Sequence, residues 1–510
     1  MAKKSKTVKS SKKEKKVKTA EKIKSTKTEP KLTGQQSTNL AMAAFYAKQL
    51  EKVESNLQLV SNSIMEAERV SSGILIVDWV YGGGFVPGMS QISGEEQAGK
   101  TTIGYHTMAV AKAKLMLPYN TFYDAEGTVS PTYTKKIWEP FGLDTEVLLS
   151  KRGREQGFYY FRNNVIEKMF DYVKRTLEVM PEKHWIQEAK SWGYFFPKRN
   201  DNFKRLMDIM GVKPDKKFST DSQYVALTEN SGPEGFFMVD SFASLLTKGE
   251  EEKLESGSSR LAMEAAEFSK QLKRVSVDLA DKKIVMLGTN QLRDVPMAGQ
   301  YTHPDDRVYE PGGKALKFYS QARGRVFSRS VNAKGGFKKD EKNSKFGVEP
   351  SVEVKGGEDR YAYKEIKNTK NKFGKPGLKS YFRVWVSDAD GNPRGIDPAY
   401  DVYYYLLETG QLVSKAGKLT FNLKPSIGKK RAEKLNAVKP FKFQDLKTLI
   451  IGEYTNSSSI IKRAVSLLGI DFKPNLRESL FNQLKTDISV YESISNKEID
   501  DDDDTDFEEI

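Results

Sequence analysis

The sequence predicts an α/β fold: a mostly parallel sheet with helices on both faces. Three observations carry this expectation. The run Gly94-Glu95-Glu96-Gln97-Ala98-Gly99-Lys100-Thr101 fits the pattern G-x-x-x-x-G-K-[ST], between a short apolar strand at residues 89–93 and an amphipathic helix at 101–117. Residues 235–240 form a continuous apolar run that ends in the carboxylate of Asp240, as a strand buried on both faces should read. Strand patterns also alternate with helical patterns and long crossovers, the order of a parallel sheet.

The elements follow in order. Residues 1–37 read as a disordered basic arm, and 38–69 as an N-terminal helical and oligomerisation segment. In the latter, Leu40, Ala44, Phe45, Leu50 and Val53 share one face of a helix at 39–57. A core at 70–405 begins with the glycine breaks Gly82-Gly83-Gly84, and a second strand at 120–124 ends in Asp124-Ala125-Glu126-Gly127. Residues 150–230 read as a separate, aromatic-rich insertion. Its stripe Val165, Ile166, Met169, Phe170, Val173, Leu177 and Met180 suits a core-facing helix better than a binding site. A helix at 261–279 precedes a strand at 283–289, capped by Asn290-Gln291, and further strands are expected at 322–327 and 380–387. A Gly/Lys-rich excursion at 331–355, a separate and mainly helical lobe at 410–497 and an acidic tail at 498–510 complete the chain.

Composition narrows the function classes. With no cysteine, disulfides, thiolate metal sites and a cysteine nucleophile are excluded, and the three scattered histidines do not make a metal or triad site. No apolar run approaches membrane-helix length, and residues 1–32 carry thirteen lysines and three glutamates with no apolar block, so neither a membrane span nor a secretory signal is expected. A cytoplasmic, DNA-associated location is the expectation. The arm carries +10, the tail −9 and the body between them +14, the pattern of a regulated nucleic-acid binder. Two solubilising tails are the plainer reading.

The candidate chemistry centres on nucleotide phosphate. Gly94 and Gly99 let the backbone of Glu95, Glu96, Gln97 and Ala98 turn its N–H groups toward phosphate at a helix N-terminus. Lys100 would pair with the β/γ-phosphates, and Thr101, beside Thr102, would hold Mg²⁺. Asp240 at a strand end would complete the metal shell, and Glu126 at the adjacent strand end suits a general base. Helix capping and surface solvation are the plainer readings of these two carboxylates.

The order of motifs resembles the RecA family of homologous recombinases over roughly residues 70–330 and 365–420. Asp124-Ala125-Glu126, with Pro131 and Tyr133 following, Val239-Asp240-Ser241 and Asn290-Gln291-Leu292-Arg293 match family motifs. So do Gly312-Gly313-Lys314-Ala315-Leu316-Lys317-Phe318-Tyr319 and Lys370-Asn371-Lys372. The resemblance implies a RecA-type P-loop core using ATP and Mg²⁺, with Glu126 catalytic, Tyr133 stacked on adenine and Gln291 sensing the γ-phosphate. It further implies DNA contact at about residues 250–260 and 293–311, with Arg293, Gly312 and Gly313 among the DNA-binding residues. Lys317 and Phe318 would lie at a subunit interface, and Lys370 and Lys372 would reach the neighbouring protomer's nucleotide.

The departures are specific. Glu95 replaces a usual proline, Gln97-Ala98 replace two serines, and Ser130 stands where bacterial members carry an aspartate. Both DNA-loop candidates are acidic, and the insertions resemble a long bacteriophage-type member. The implied activity is DNA-dependent ATP hydrolysis by a helical filament on single-stranded DNA, which pairs homologous duplex and works with single-strand-binding and mediator proteins. A ring-forming nucleic-acid motor on the same fold, or a nucleotide-gated scaffold without hydrolysis, are the alternatives.

Overall fold

The computed structural model describes residues 69–180, 182–186, 191–197, 223–228, 232–252, 258–295, 307–329, 360–387, 395–416, 418–442, 446, 480–481 and 483–484. Contacts divide the chain into Met1–Val60 and Ser61–Ile510, and every described residue belongs to the second unit. The arm, the 39–57 helix, the 331–355 excursion and the acidic tail lie outside the described residues.

Helix α1 (Leu75–Tyr81) precedes strand β1 (Gly88–Gly94), the glycine loop and helix α2 (Lys100–Ala109). A π-helical turn at Val110–Lys114 ends α2 earlier than the apolar pattern predicts, and Met116 then adopts a φ of 51°. Next come β2 (Tyr119–Asp124), α3 (Pro131–Trp138), β3 (Phe158–Arg162) and α4 (Ile166–Val179). Strands β4 (Glu182–Ile186), β5 (Ser191–Pro197) and β6 (Gln223–Thr228) form their own antiparallel sheet. The core resumes with β7 (Gly235–Asp240), α5 (Ser258–Asp281) and β8 (Ile284–Gln291). The short strands β9 (Arg293–Asp294) and β10 (Val308–Tyr309) pair with each other, and α6 (Gly313–Tyr319) follows. The last elements are β11 (Ala322–Arg329), β12 (Arg360–Asn371), β13 (Lys379–Ser387), β14 (Gly395–Ile396), α7 (Pro398–Glu408), the hairpin β15 (Leu412–Lys415) and β16 (Lys418–Phe421), and α8 (Lys429–Asn436).

One nine-stranded sheet, ordered β14-β13-β12-β11-β1-β8-β7-β2-β3, organises these elements. From β11 to β3 all neighbours are parallel, whereas β12, β13 and β14 add an antiparallel border. Successive strand residues point to opposite faces. Phe236, Met238, Val285 and Leu287 therefore enter one core with α1, α2 and α7, and Phe237, Val239, Ile284 and Met286 the other, with α4 and α5. Two buried faces explain why these strands read as unbroken apolar runs.

Two boundaries differ from the sequence expectation. Residues 150–230 are not a separate body, because β3 extends the parallel sheet beside β2 and α4 buries Ile166, Met169, Phe170, Val173 and Leu177 in the second core. Among the described residues of 150–230, the β4–β6 sheet stands apart from the nine strands. Likewise, the described part of 410–497 contains a hairpin, and its Leu412, Phe421, Leu435, Phe441 and Leu484 share the first core with α1 and α7. Apolar residues widely spaced among lysines hid that continuity. Among the described residues, no helix is long and apolar enough to cross a membrane.

Candidate nucleotide site

Four sequence-predicted positions meet at one edge of the sheet. Strands β1, β8, β7 and β2 are parallel neighbours, and their carboxyl ends carry the glycine loop, Gln291, Asp240 and Glu126 respectively. Open α/β sheets gather ligands at this edge. The register is tight, with Gly94 opposite Gln291 and Asp124 opposite Asp240. Leu292 N donates to Gly94 O (3.0 Å), and Ala125 N and Glu126 N both donate to Asp240 O (2.7 and 3.2 Å).

Loop geometry explains its glycines. A Cβ on Gly94 would lie 2.5 Å from Val326 O, closer than any side chain tolerates. Gly99 caps α2 with a φ of 95°, a left-handed conformation that glycine adopts at little cost. Lys100 folds back over the loop and donates to Gly94 O (3.1 Å) and Glu95 O (2.5 Å). Burial lowers its pKa, while the carboxylates of Asp240, Glu126, Glu95 and Glu96 oppose that shift.

Asp240 is buried and receives hydrogen bonds from Thr289 Oγ1 (2.5 Å) and from the Thr101 side chain. Burial dominates and raises its pKa to about 6, with the Glu126 charge adding to the rise. A hydroxyl joined to a buried carboxylate beside a helix N-terminus is a donor set that fits Mg²⁺ held with phosphate. Glu126 is exposed, with Oε1 held by Ser241 Oγ (2.6 Å) and Ser244 Oγ (3.3 Å) and Oε2 near Thr128 Oγ1 (3.5 Å). Tyr133 is half-buried, and its hydroxyl lies 2.6 Å from Thr102 Oγ1. Ser130 caps α3 by accepting from Tyr133 N (3.3 Å), a local role for the residue that departs from the family pattern.

With this constellation in place, the comparisons take on meaning. The family model of the RecA N-terminal domain matches residues 39–158, which hold the glycine loop, Glu126 and Tyr133. The chain is similar to the RecA family. It is 25% identical to Protein RecA of Mycoplasma genitalium over 405 residues, 78% of this chain and 89% of that relative. Protein RecA of Thermus aquaticus is 23% identical over 69% of this chain and 75% of its own length. Protein RecA of Clostridium botulinum is 26% identical over 53% and 56% respectively. Such identities describe a divergent RecA-type protein.

The remaining RecA-motif residues lie away from the loop. Arg293 is exposed in β9, which pairs with β10 as a two-stranded stem; residues 296–306 lie outside the described residues. Gly312 and Gly313 adopt φ of 90° and 73° at the start of α6, and a Cβ on Gly313 would lie 2.6 Å from Ala265 Cβ. Helix packing thus accounts for both glycines. Phe318 is 71% exposed, whereas Lys317 lies 3.8 Å from the buried Glu310, which also pairs with Arg323 and Arg325. Lys370 Nζ donates to the Lys317 and Phe318 carbonyls (2.7 and 2.9 Å), and Lys372 is exposed beyond it. Burial first, then the charges of Lys372 and Arg323, bring the Lys370 pKa down to about 8.

From sequence, Thr289, Ser328 and Lys364 have no assigned role, and Ser241 enters only as part of a motif. Lys364 is buried, and its Nζ donates to Gln97 O and Ser328 Oγ (both 2.9 Å). Strand alternation was a partial signal, because Lys364, Ile366 and Asn368 are all buried, although Glu365 between them is buried as well. Charges interleaved among these residues concealed β12.

Proposed function

We propose that this RecA-like chain is an ATP-dependent DNA recombinase. It would form helical filaments on single-stranded DNA, pair them with homologous duplex and exchange strands in recombination, repair and recombination-dependent replication. The observation that supports this reading best is the convergence of the glycine loop, Glu126, Asp240 and Gln291 on adjacent strand ends. When bound, Mg·ATP supplies the phosphoanhydride to be cleaved and a cation that withdraws charge from it. Loop N–H groups and the α2 N-terminus bind phosphate, and Lys100 exchanges its two carbonyl partners for phosphate oxygens. Thr101 and Asp240 would hold the cation. Glu126 Oε2 receives the proton of the attacking water while Ser241 and Ser244 steady Oε1.

Gln291 lies in register with Gly94, its neighbour Leu292 donates to Gly94 O, and β8 runs directly into the β9–β10 stem, so nucleotide state can pass to a DNA-contacting segment. Lys370 sits six residues along β12 from Lys364, roughly 20 Å at the rise of a strand. That span separates it from its own loop and favours action on a neighbouring protomer. DNA-stimulated ATP hydrolysis and strand exchange between a labelled duplex and homologous single strands test the proposal. Wild-type protein should perform both and Lys100→Ala neither. Hydrolysis with no exchange under any filament-forming condition would favour a motor instead.

A further inference from the structure

The peptide after Gln97 is held in an unusual way. Gln97 has a φ of 56°, a left-handed conformation that a side chain disfavours and glycine does not. Its carbonyl is pinned by Lys364 Nζ at 2.9 Å, and Ala98 N, across the same peptide, donates to Glu95 O at 3.3 Å. Flipping this peptide would exchange the directions of the carbonyl and the N–H, presenting lone pairs where a phosphate-binding loop needs donors. Lys364 comes from β12, outside the motif, and is only 6% exposed. Burying an ammonium is costly unless partners surround it. Here the partners are Gln97 O, Ser328 Oγ and the electrostatic influence of Glu95, which also accepts from the Ser328 N–H.

We infer that Lys364 is a positioning residue that keeps the phosphate loop in its nucleotide-binding shape by pinning the left-handed Gln97 peptide; this rests on the loop being a nucleotide site. Ser328 orients the ammonium, so the antiparallel border of the sheet acts as a brace for the loop. The brace also explains why a glutamine stands where glycine would be less strained.

A double-mutant cycle tests this on the full chain, with a fluorescent ADP analogue and Mg²⁺ as the probe. Lys364→Met should weaken binding about tenfold in the wild-type background but less than about twofold in Gln97→Gly, where no strained side chain needs pinning. Lys364→Arg should recover part of the affinity. Should Lys364→Met give no folded protein, Lys364→Gln is to be read in the same two backgrounds. Equal losses in both backgrounds, or wild-type affinity in both, would overturn the inference. Lys100→Ala separates the levels: its binding nucleotide like wild type would sink the nucleotide-site reading itself, whereas its failing to bind leaves the cycle to decide on Lys364 alone.

Discussion

Glu126 and Asp240 are both carboxylates at neighbouring strand ends, yet their surroundings give them opposite characters. Asp240 is buried and held by threonine hydroxyls at a strand end, which suits a cation ligand once it is ionised; Glu126 is exposed and steadied by serine hydroxyls, which suits contact with water. Glu126→Gln keeps the shape and loses the base. Nucleotide binding should persist while hydrolysis falls at least ~100-fold, measured by equilibrium binding and phosphate release. Wild-type turnover would remove Glu126 from the proposed role. Away from the site, Asp78 is the residue through which pH should act on stability. It is buried, accepts from Ser71 Oγ (2.5 Å), Ser72 N (2.7 Å) and Ser72 Oγ (2.6 Å), and feels the Asp401 charge. Burial is the largest influence and raises its pKa from 3.8 to about 6. The folded state therefore holds this proton more tightly than the unfolded state. The associated stability is complete below the ordinary carboxylate pKa and is lost as pH rises through about 6. Asp78→Asn should flatten the decline of apparent Tm between about pH 4 and about pH 7; an unchanged profile would contradict this. Lys100, Glu126 and Asp240 were legible because fixed spacing and strand-end placement single them out. Lys364 was not, since one lysine in a lysine-rich chain carries no signal until a strand places it under the loop.

Among elements, α6 and β12 form one unit. Lys370 on β12 caps the last carbonyls of α6, and the same turn of α6 displays the exposed Phe318. The residue proposed for the interface and the lysines proposed to act across it are thus mechanically joined. Lys370→Ala/Lys372→Ala protein should bind nucleotide as a protomer but lose filament formation and DNA-stimulated hydrolysis. Mixed with Glu126→Gln protein, it should regain activity at junctions where an intact loop meets intact lysines. Co-assembly confirmed by sedimentation, with no recovery of hydrolysis, would remove the trans role. The α6 motif was readable from sequence as a block of residue types. Its glycines proved to have a packing cause, since a Cβ on Gly312 would lie 2.3 Å from Leu316 Cδ1. Strand β12 was unreadable because its buried positions include Lys364, Glu365 and Asn368, each engaged in a specific polar contact rather than in apolar packing.

For the whole molecule, the parallel core was legible because burial on both faces forces unbroken apolar strands. Continuity was harder to read. Leu480 and Leu484 join the core that also contains α1, segments some 400 positions apart that no local pattern links. Charge distribution is legible only from sequence, since the +10 arm and the −9 tail lie outside the described residues. Removing residues 498–510 should strengthen duplex DNA binding most at low salt, where an acidic tail competes best with phosphate. Titrations across a salt series that show no change would reduce the tail to a solubilising role.

The central claim is that nucleotide is shared between protomers of a helical assembly on DNA. Electron microscopy of the full chain with single-stranded DNA, Mg²⁺ and a slowly hydrolysed ATP analogue tests it most directly. Continuous helical filaments that are absent with Lys100→Ala are the predicted result; closed rings around DNA would contradict it.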